Sequence, residues 1–227
     1  MTESTLRPIA RIKSDYKSKF GIPRQSGIVK ELEARIVFEK EFSDREAIRG
    51  IEEFSHLWLI WQFSENLGDG WRPTVRPPRL GGNERRGVFA TRSPYRPNAL
   101  GLSCVKLLGV EEGDASPELR IAGADLLDGT PIFDIKPYIP YTDCVPDAES
   151  GFAPDEGKRT GVVIPPELEE KIKPEKRAAL REILSLDPRP SYRPEGDRVY
   201  RFEFADMRIG FIADEGTITV TEIEKTE

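Results

Sequence analysis

The stretch Leu57-Trp58-Leu59-Ile60-Trp61-Gln62-Phe63 is apolar at every position but one. It is too short for a buried helix, and its many aromatic residues favour a fully buried β-strand. Before it, residues 9–13 and 32–38 alternate apolar and polar side chains in the strand period, which predicts half-buried antiparallel strands. Further strands are predicted at 87–91, 102–110, 119–124 and 132–135. Residues 1–145 should therefore form a β-barrel or pseudobarrel domain rather than a doubly wound sheet.

The C-terminal third has a different pattern. Residues 146–160 are polar and contain glycine, which predicts a linker. Residues 174–186 have an apolar face at helical spacing and begin with proline, which favours a helix. Strands are predicted at 199–204, 207–212 and 217–223. Residues 161–227 should form a small α+β domain, a helix packed on a three-stranded antiparallel sheet, so the chain as a whole belongs to the α+β class.

Two segments of the first part carry more specific local signals. Ser43 and Glu46 have the spacing of a capping box, which predicts a short helix that ends at Gly50. Residues 64–86 are rich in proline and glycine and show no sustained periodicity. Such a stretch is far longer than a typical connection of about 4 to 6 residues, and long loops in compact domains are usually functional.

Composition excludes several classes of protein. No run in the 227 residues approaches the length of a membrane span, and the first residues lack the apolar core of a signal peptide, which predicts a soluble cytoplasmic protein. Cys104 and Cys144 lie in unrelated contexts, so we expect buried thiols rather than a disulfide or a metal site. Neither GxGxxG nor a P-loop occurs, which argues against a Rossmann-type nucleotide site. The single histidine, His56, lies beside the aromatic strand. A histidine in such a position is more often a hydrogen-bonded core residue than a catalyst.

The arginine loop, residues 71–98, is the most unusual segment. The net charge of the chain is −6, yet this loop holds seven arginines, no lysine and a single acid, Glu84. Guanidinium groups bind phosphates bidentately and stack on bases, and Trp71 and Tyr95 lie among them, which is typical of RNA recognition. The alternative is that the arginines pair with acids elsewhere in this acidic chain or across an oligomer contact. The arginines in question are Arg72, Arg76, Arg79, Arg85, Arg86, Arg92 and Arg96.

The segment Asp125-Leu126-Leu127-Asp128-Gly129 follows a predicted strand. An ordinary turn explains an Asp-Gly pair. The two carboxylates could equally bind a cationic or hydroxyl-rich ligand, and periodicity does not separate these interpretations.

Taken together, the motifs resemble the TrmO family of YaeB-like or TsaA-like proteins. The motifs are FGIPRQSG (20–27), FSHLW (54–58), GWRPTVRPPRLGGN (70–83), GVFATRSP (87–94), RPN (96–98), the stretch 125–138, and DPRP (187–190) followed by Tyr192. They extend over most of the chain. Where many relatives have His-Gln, this sequence has Ser64-Glu65.

The resemblance implies a methyltransferase that uses S-adenosylmethionine to methylate N6 of t6A at position 37, in the anticodon loop of a threonine tRNA, giving m6t6A. It also implies a homodimer and no metal. The cofactor contacts that it implies are Pro23, Arg24, Gln25, Ser64, Glu65, Arg92, Leu102, Asp125, Leu126, Leu127 and Asp128. Arg72, Arg76, Arg79, Arg85 and Arg86 are then the candidates for contact with tRNA.

Methyl transfer from a sulfonium is an in-line displacement, so positioning supplies much of the acceleration. The N6 nitrogen of t6A is a poor nucleophile, and removal of its proton as the new bond forms would make it more reactive. We therefore expect Asp125 or Asp128 to assist through the sulfonium charge or the hydroxyls of the ligand, and Arg92 to bind a carboxylate. Tyr95 and His56 are weaker candidates for proton handling. The alternatives are a non-catalytic RNA-binding or adaptor module and a barrel that binds a small acidic metabolite.

Overall fold

The aromatic stretch forms a strand, His56–Gln62, as the sequence predicted. Its side chains alternate strictly, so that Leu57, Leu59 and Trp61 are buried while the intervening residues are half-exposed. In this computed structural model, residues 5–114, 116–155, 157–189 and 196–226 are described. Pro190 and Tyr192, which contribute to the family motif, lie outside the described residues.

Among the residues that the structure describes, eight strands lie in the first part of the chain. They are β1 (Ala10–Lys13), β2 (Glu33–Phe38), β3 (His56–Gln62), β4 (Thr74–Val75), β5 (Arg86–Gly87), β6 (Leu100–Glu112), β7 (Pro117–Ala122) and β8 (Pro131–Pro137). Six of them close into a barrel in the order β1-β2-β7-β6-β3-β8, every pair antiparallel. The predicted barrel is therefore confirmed. Its inward-facing apolar residues, among them Ile36, Leu57, Leu59, Ile121 and Ile132, form one core.

The predicted strand at 87–91 is wrong. Val88–Ala90 is a 3-10 turn instead, because the chain leaves the short β4–β5 hairpin at Gly87 and Val88 alone turns inward. The helix predicted at 43–49 is a 3-10 helix, Arg45–Ile48, capped by Asp44, whose side chain accepts from the Glu46 amide, rather than by Ser43. Other 3-10 helices are Lys40–Phe42, Ile51–Glu53, Ser64–Asp69 and Pro78–Leu80.

The C-terminal part contains a four-stranded mixed sheet, where the sequence predicted three antiparallel strands. Its strands are β9 (Gly161–Val163), β10 (Gly196–Phe204), β11 (Met207–Asp214) and β12 (Thr217–Lys225). The additional strand, β9, pairs in parallel with β12. It was missed because three residues are too few to show a period. A short helix, α1 (Pro140–Asp143), follows β8 in the first part of the chain. The helices of the C-terminal part are α2 (Pro166–Glu169) and α3 (Pro174–Ser185), and α3 confirms the predicted helix.

The segment between β1 and β2 joins the two parts. Tyr16, Val29 and Leu32 are buried in the core of the C-terminal part, together with Leu180 of α3. Tyr16 also forms an isolated β-bridge with Phe204. The barrel and the C-terminal sheet therefore share packed side chains, although they have separate cores.

The remaining sequence predictions concern the thiols and membrane segments. Cys104 is half-buried, but Cys144 is exposed, so the prediction of two buried thiols is wrong for Cys144. It follows α1, a single turn at the surface in which Tyr141 is also exposed. Within the described part of the chain, no helix is both long and apolar enough to cross a membrane.

Candidate functional site

A partly buried carboxylate, that of Asp125, lies at the centre of the candidate site. It follows β7 after Gly123, which has a φ of +78°, a conformation that glycine adopts without strain. Asp125 Oδ1 accepts a hydrogen bond of 2.6 Å from Ser103 Oγ on β6. Burial raises the pKa of Asp125 to about 6, while the Ser103 hydroxyl and the nearby Arg92 act in the opposite direction.

The sequence did not point to the two residues behind this carboxylate. Ser103 is 1% exposed, and its Oγ accepts a 2.9 Å hydrogen bond from Trp61 Nε1 on β3. The sequence did contain a signal, because Ser103 is a hydroxyl residue at an inward-facing position of a strand whose other inward residues are apolar. Buried polar groups in such positions need a specific partner.

The segment 23–26 meets the arginine loop beside Asp125. Arg92 Nη1 donates to Gln25 Oε1. Ser26 Oγ accepts from the Cys104 amide at 3.2 Å, which attaches this segment to β6. Three of the predicted cofactor residues, Gln25, Arg92 and Asp125, are thereby brought together. Leu102, a fourth, lies next to Ser103 on β6 and is 56% exposed.

The other predicted cofactor residues are distributed around this group. Pro23 is buried and Arg24 is exposed. Ser64 and Glu65 begin a 3-10 helix directly after the aromatic strand, and Lys19 Nζ donates to the Glu65 carbonyl at 3.0 Å. These two residues therefore lie near the same end of β3 as Trp61.

Asp128 has a different environment from Asp125. Its Oδ1 accepts from the Ser14 amide at 2.9 Å, and its Oδ2 pairs with Lys17 at 2.6 Å. Leu126 is fully buried in the barrel core, whereas Leu127 packs against the C-terminal core. Within the turn, the Asp125 carboxylate binds Ser103 and is influenced by the charge of Arg92, whereas Asp128 connects the turn to the chain after β1.

The arginine loop is ordered by its own contacts. The Arg72 amide donates to the Tyr95 carbonyl, and its guanidinium lies 4.3 Å from the centre of the Tyr95 ring. Arg96 donates to the carbonyls of Val88 and Thr91, which fixes the turn before it. Trp71 is 56% exposed. The loop thus presents an aromatic side chain and a stacked guanidinium at the surface.

The remaining tRNA candidates differ in their partners. Arg79 pairs with Asp155 at 3.3 Å, and Arg86 pairs with Glu84 at 2.7 Å. Arg85 donates to the Thr74 hydroxyl. All of these are exposed or half-exposed, so their guanidinium groups remain accessible.

The last two proton-handling candidates lie outside the Asp125 group. His56 Nδ1 is 2.9 Å from Ser55 Oγ, and its ring lies 6.2 Å from that of Tyr138 on the outer surface of the barrel. Tyr95 is part of the stack with Arg72. Among the described residues, neither ring forms a hydrogen bond or ring contact with Asp125 or Arg92.

Comparison with known proteins follows the same division of the chain. The family model for the tRNA-methyltransferase O N-terminal domain matches residues 11–144, and that for the TrmO C-terminal domain matches residues 158–226. The chain is 40% identical over 233 residues to the tRNA (adenine(37)-N6)-methyltransferase of Escherichia coli, covering 99% of both. It is 39% identical over 219 residues to a putative S-adenosylmethionine-dependent methyltransferase of Pseudomonas aeruginosa, covering 92% of both.

A crystal structure of TrmO from Pseudomonas aeruginosa superposes with a TM-score of 0.79 at 32% identity, covering 99% of both chains. A closed barrel followed by a small mixed sheet, with a partly buried carboxylate beside a basic loop, places the chain in the class of barrel-type RNA-modification proteins. The chain belongs to the TrmO family. The family resemblance stated from the sequence is confirmed.

Proposed function

We propose that this chain is an S-adenosylmethionine-dependent tRNA methyltransferase that acts on N6 of adenine 37, with t6A of a threonine tRNA as substrate and m6t6A as product. The observation that carries the proposal is the similarity to the Escherichia coli enzyme over 99% of both chains. The clustering of Gln25, Arg92 and Asp125, three residues expected from the family motif, supports it.

The chemistry of the Asp125 group fits this cofactor. S-adenosylmethionine offers a cationic sulfonium, a carboxylate, ribose hydroxyls and an apolar adenine face. Arg92 is suited to the carboxylate, Asp125 to the hydroxyls or the positive charge, and the exposed Leu102 to the adenine. Residues 23–25, 64–65 and 126–128 complete the proposed contacts. When bound, the cofactor supplies an electrophilic methyl group.

The protein residues then contribute position and proton handling. Methylation of N6 would replace its N–H bond by an N–C bond, so the N6 proton needs an acceptor in the protein or solvent. Asp125 is mostly ionised at pH 7, because its pKa is about 6, and it can accept that proton directly or through a water. Such a pKa is close to the working pH, where a general base is most effective.

We assign tRNA binding to the arginine loop. Arg72, Arg76 and Arg85 carry no ion pair among the described residues, so phosphates can bind them without breaking a salt bridge. Trp71 offers an exposed ring for base stacking. Arg79 and Arg86 extend the same surface.

The proposed organisation is a catalytic barrel of residues 1–145, a linker of 146–160 and a C-terminal domain of 161–227, assembled as a homodimer. Exposed apolar side chains of the barrel part, Phe89, Tyr141 and Val145, support a contact with a second copy. Light scattering coupled to size exclusion tests the dimer, and a monomer at micromolar concentration would contradict it.

The methyl-transfer reaction is tested directly. The protein is incubated with methyl-labelled S-adenosylmethionine and total tRNA from cells that make t6A or lack it, and the digested nucleosides are identified. We expect label in m6t6A from the first tRNA pool only. Label in another base would contradict the t6A assignment, and tRNA binding without any label would favour the adaptor module.

A further inference from the structure

We infer that Trp61 and Ser103 are positioning residues, which hold Asp125 as an oriented, ionised acceptor through a hydrogen-bond chain that runs in one direction only. The chain leads from the interior of the barrel to the candidate site. The effect of this hydrogen-bond chain on catalysis rests on the proposed methyltransferase function, whereas the existence of the hydrogen-bond chain does not.

The direction of the chain follows from the chemistry of its members. An indole nitrogen can only donate, so Ser103 Oγ must be the acceptor of the 2.9 Å bond from Trp61. A hydroxyl has a single proton. With one Ser103 lone pair engaged by Trp61, that proton is directed to Asp125 Oδ1 at 2.6 Å. This length is typical of an O–H donor bound to an ionised carboxylate.

The first member of the chain is held rigidly. Trp61 is 7% exposed and lies opposite Gly101 in the β3–β6 pair. A Cβ atom at position 101 would overlap the indole, so the glycine is required for the ring to occupy this place. The Phe63 ring packs edge-on against the indole, 4.3 Å between centroids. An indole fixed on both sides has little freedom to redirect its N–H.

The electrostatic environment of Asp125 shows how the hydrogen-bond chain affects its protonation. Burial raises the pKa of this carboxyl, and the Ser103 hydrogen bond is the strongest effect that lowers it again. Arg92 on the arginine loop and the Ser26 amide lower it further. Tyr16 also faces this charge, but burial raises its pKa far above the working range, so it remains a neutral phenol. Removing Ser103 should therefore favour the protonated form of Asp125.

Titration of the Asp125 carboxyl by ¹³C NMR, in full-length protein labelled at aspartate, tests the chain without any substrate. We expect Ser103→Ala to raise the pKa of Asp125 by about 1, the size of one charge-assisted hydrogen bond. Trp61→Phe should raise it by a smaller amount. If the indole acts through the hydroxyl, Trp61→Phe should add nothing in the Ser103→Ala background.

The strand offers a matched control. Like Trp61, Trp58 donates its indole N–H to a side chain, here the carboxylate of Asp143 at 3.1 Å, but on the outer face of the barrel. Trp58→Phe should leave the titration of Asp125 unchanged. An unchanged pKa in Ser103→Ala, or additive effects in the double variant, would overturn the inference. Ser103→Ala removes a single oxygen atom, so it carries the test alone if Trp61→Phe does not fold.

The methylation reaction provides a second measurement. In Ser103→Ala the acidic limb of the kcat/KM pH profile should move to higher pH by about one unit, which is about tenfold in proton concentration. A lower rate with an unmoved limb would indicate a merely structural role and overturn the assignment. If the NMR titration moves as expected but no variant or wild-type protein methylates tRNA, the proposed function fails and the hydrogen-bond chain stands.

Discussion

The arginines of the arginine loop and those of the rest of the chain are used differently. Of the seven in the loop, two pair with carboxylates, namely Arg79 with Asp155 and Arg86 with Glu84. Outside it, most described arginines form such pairs. Those that do are Arg7, Arg11, Arg35, Arg45, Arg49, Arg120, Arg159, Arg181, Arg189, Arg201 and Arg208.

The difference bears on the two interpretations that the sequence left open. If the loop arginines were balanced by distant acids, they should resemble the others. Distant pairing within the chain accounts for Arg79, and Glu84 accounts for Arg86. The rest stack, bind neutral oxygens or have no ion partner in the described residues. Charges that the fold leaves without an opposite charge are available to an anionic ligand.

Arg92→Ala should give the largest effect. Arg92 donates to Gln25 and acts on the charge of Asp125, so its loss removes the cation proposed to bind the cofactor carboxylate. We expect S-adenosylmethionine affinity to fall about 100-fold or more, as for a charge-assisted bond that loses one partner. Calorimetry measures it. Arg92→Lys should recover part of the loss, and unchanged affinity in Arg92→Ala would remove this residue from the site.

A triple substitution tests the loop as a surface for RNA. Arg72, Arg76 and Arg85 changed to alanine together should weaken tRNA binding about 30-fold at low salt, and should reduce the slope of log K against log salt by about 2. The matched control changes Arg45, Arg201 and Arg208, which are paired, to alanine. Equal losses of tRNA affinity in both triple variants would show that total charge governs binding and that the arginine loop is not a specific tRNA-binding surface.

The sequence predicted the fold well where periodicity lasts. The barrel strands and α3 span enough residues for alternation or an apolar face to be recognised. It failed where the tertiary context decides. Val88 to Ala90 has strand-like composition but turns after Gly87, and β9 is stabilised only by pairing with β12. Neither fact is written in the local sequence.

The site was predictable in part. Family motifs brought Gln25, Arg92 and Asp125 to attention, and the structure groups them. The sequence did not single out Ser103 and Trp61, because a serine in a strand is ordinary until its hydrogen-bond partner is known. Pairing across β3 and β6 with a turn after β7 creates that partnership, and such long-range register cannot be read from a single segment.

Asp125→Asn tests the carboxylate as the negative counterpart of the unpaired arginines. Its pKa in the folded protein, about 6, is higher than its ordinary value, so its contribution to stability is complete below pH 4 and is lost as the pH rises through 6. Asparagine does not titrate. The stability of the wild type relative to Asp125→Asn should fall by about 2 kcal/mol between pH 4 and pH 7.

Urea unfolding of both proteins across this pH range measures the difference. Glu182 titrates in the same window, since burial and the neighbouring Glu31 raise its pKa to about 6. It is present in both proteins and cancels. A constant difference in the free energy of unfolding between the two proteins would mean that ionisation of Asp125 does not destabilise the fold. Asp125 would then not differ from the paired surface acids.

The smallest effect is expected where the arginine is already paired and exposed. Arg45 binds Glu112 with both side chains largely in solvent, and such pairs contribute less than about 1 kcal/mol. Arg45→Ala should therefore change neither the free energy of unfolding beyond that amount nor tRNA affinity. Arg85→Ala, which breaks a hydrogen bond to the neutral Thr74 hydroxyl, should likewise leave stability nearly unchanged yet weaken tRNA binding several-fold. Filter binding and urea unfolding of these two single variants distinguish an arginine that forms an ion pair within the protein from one that is available to bind tRNA. The same response in both variants would contradict that distinction.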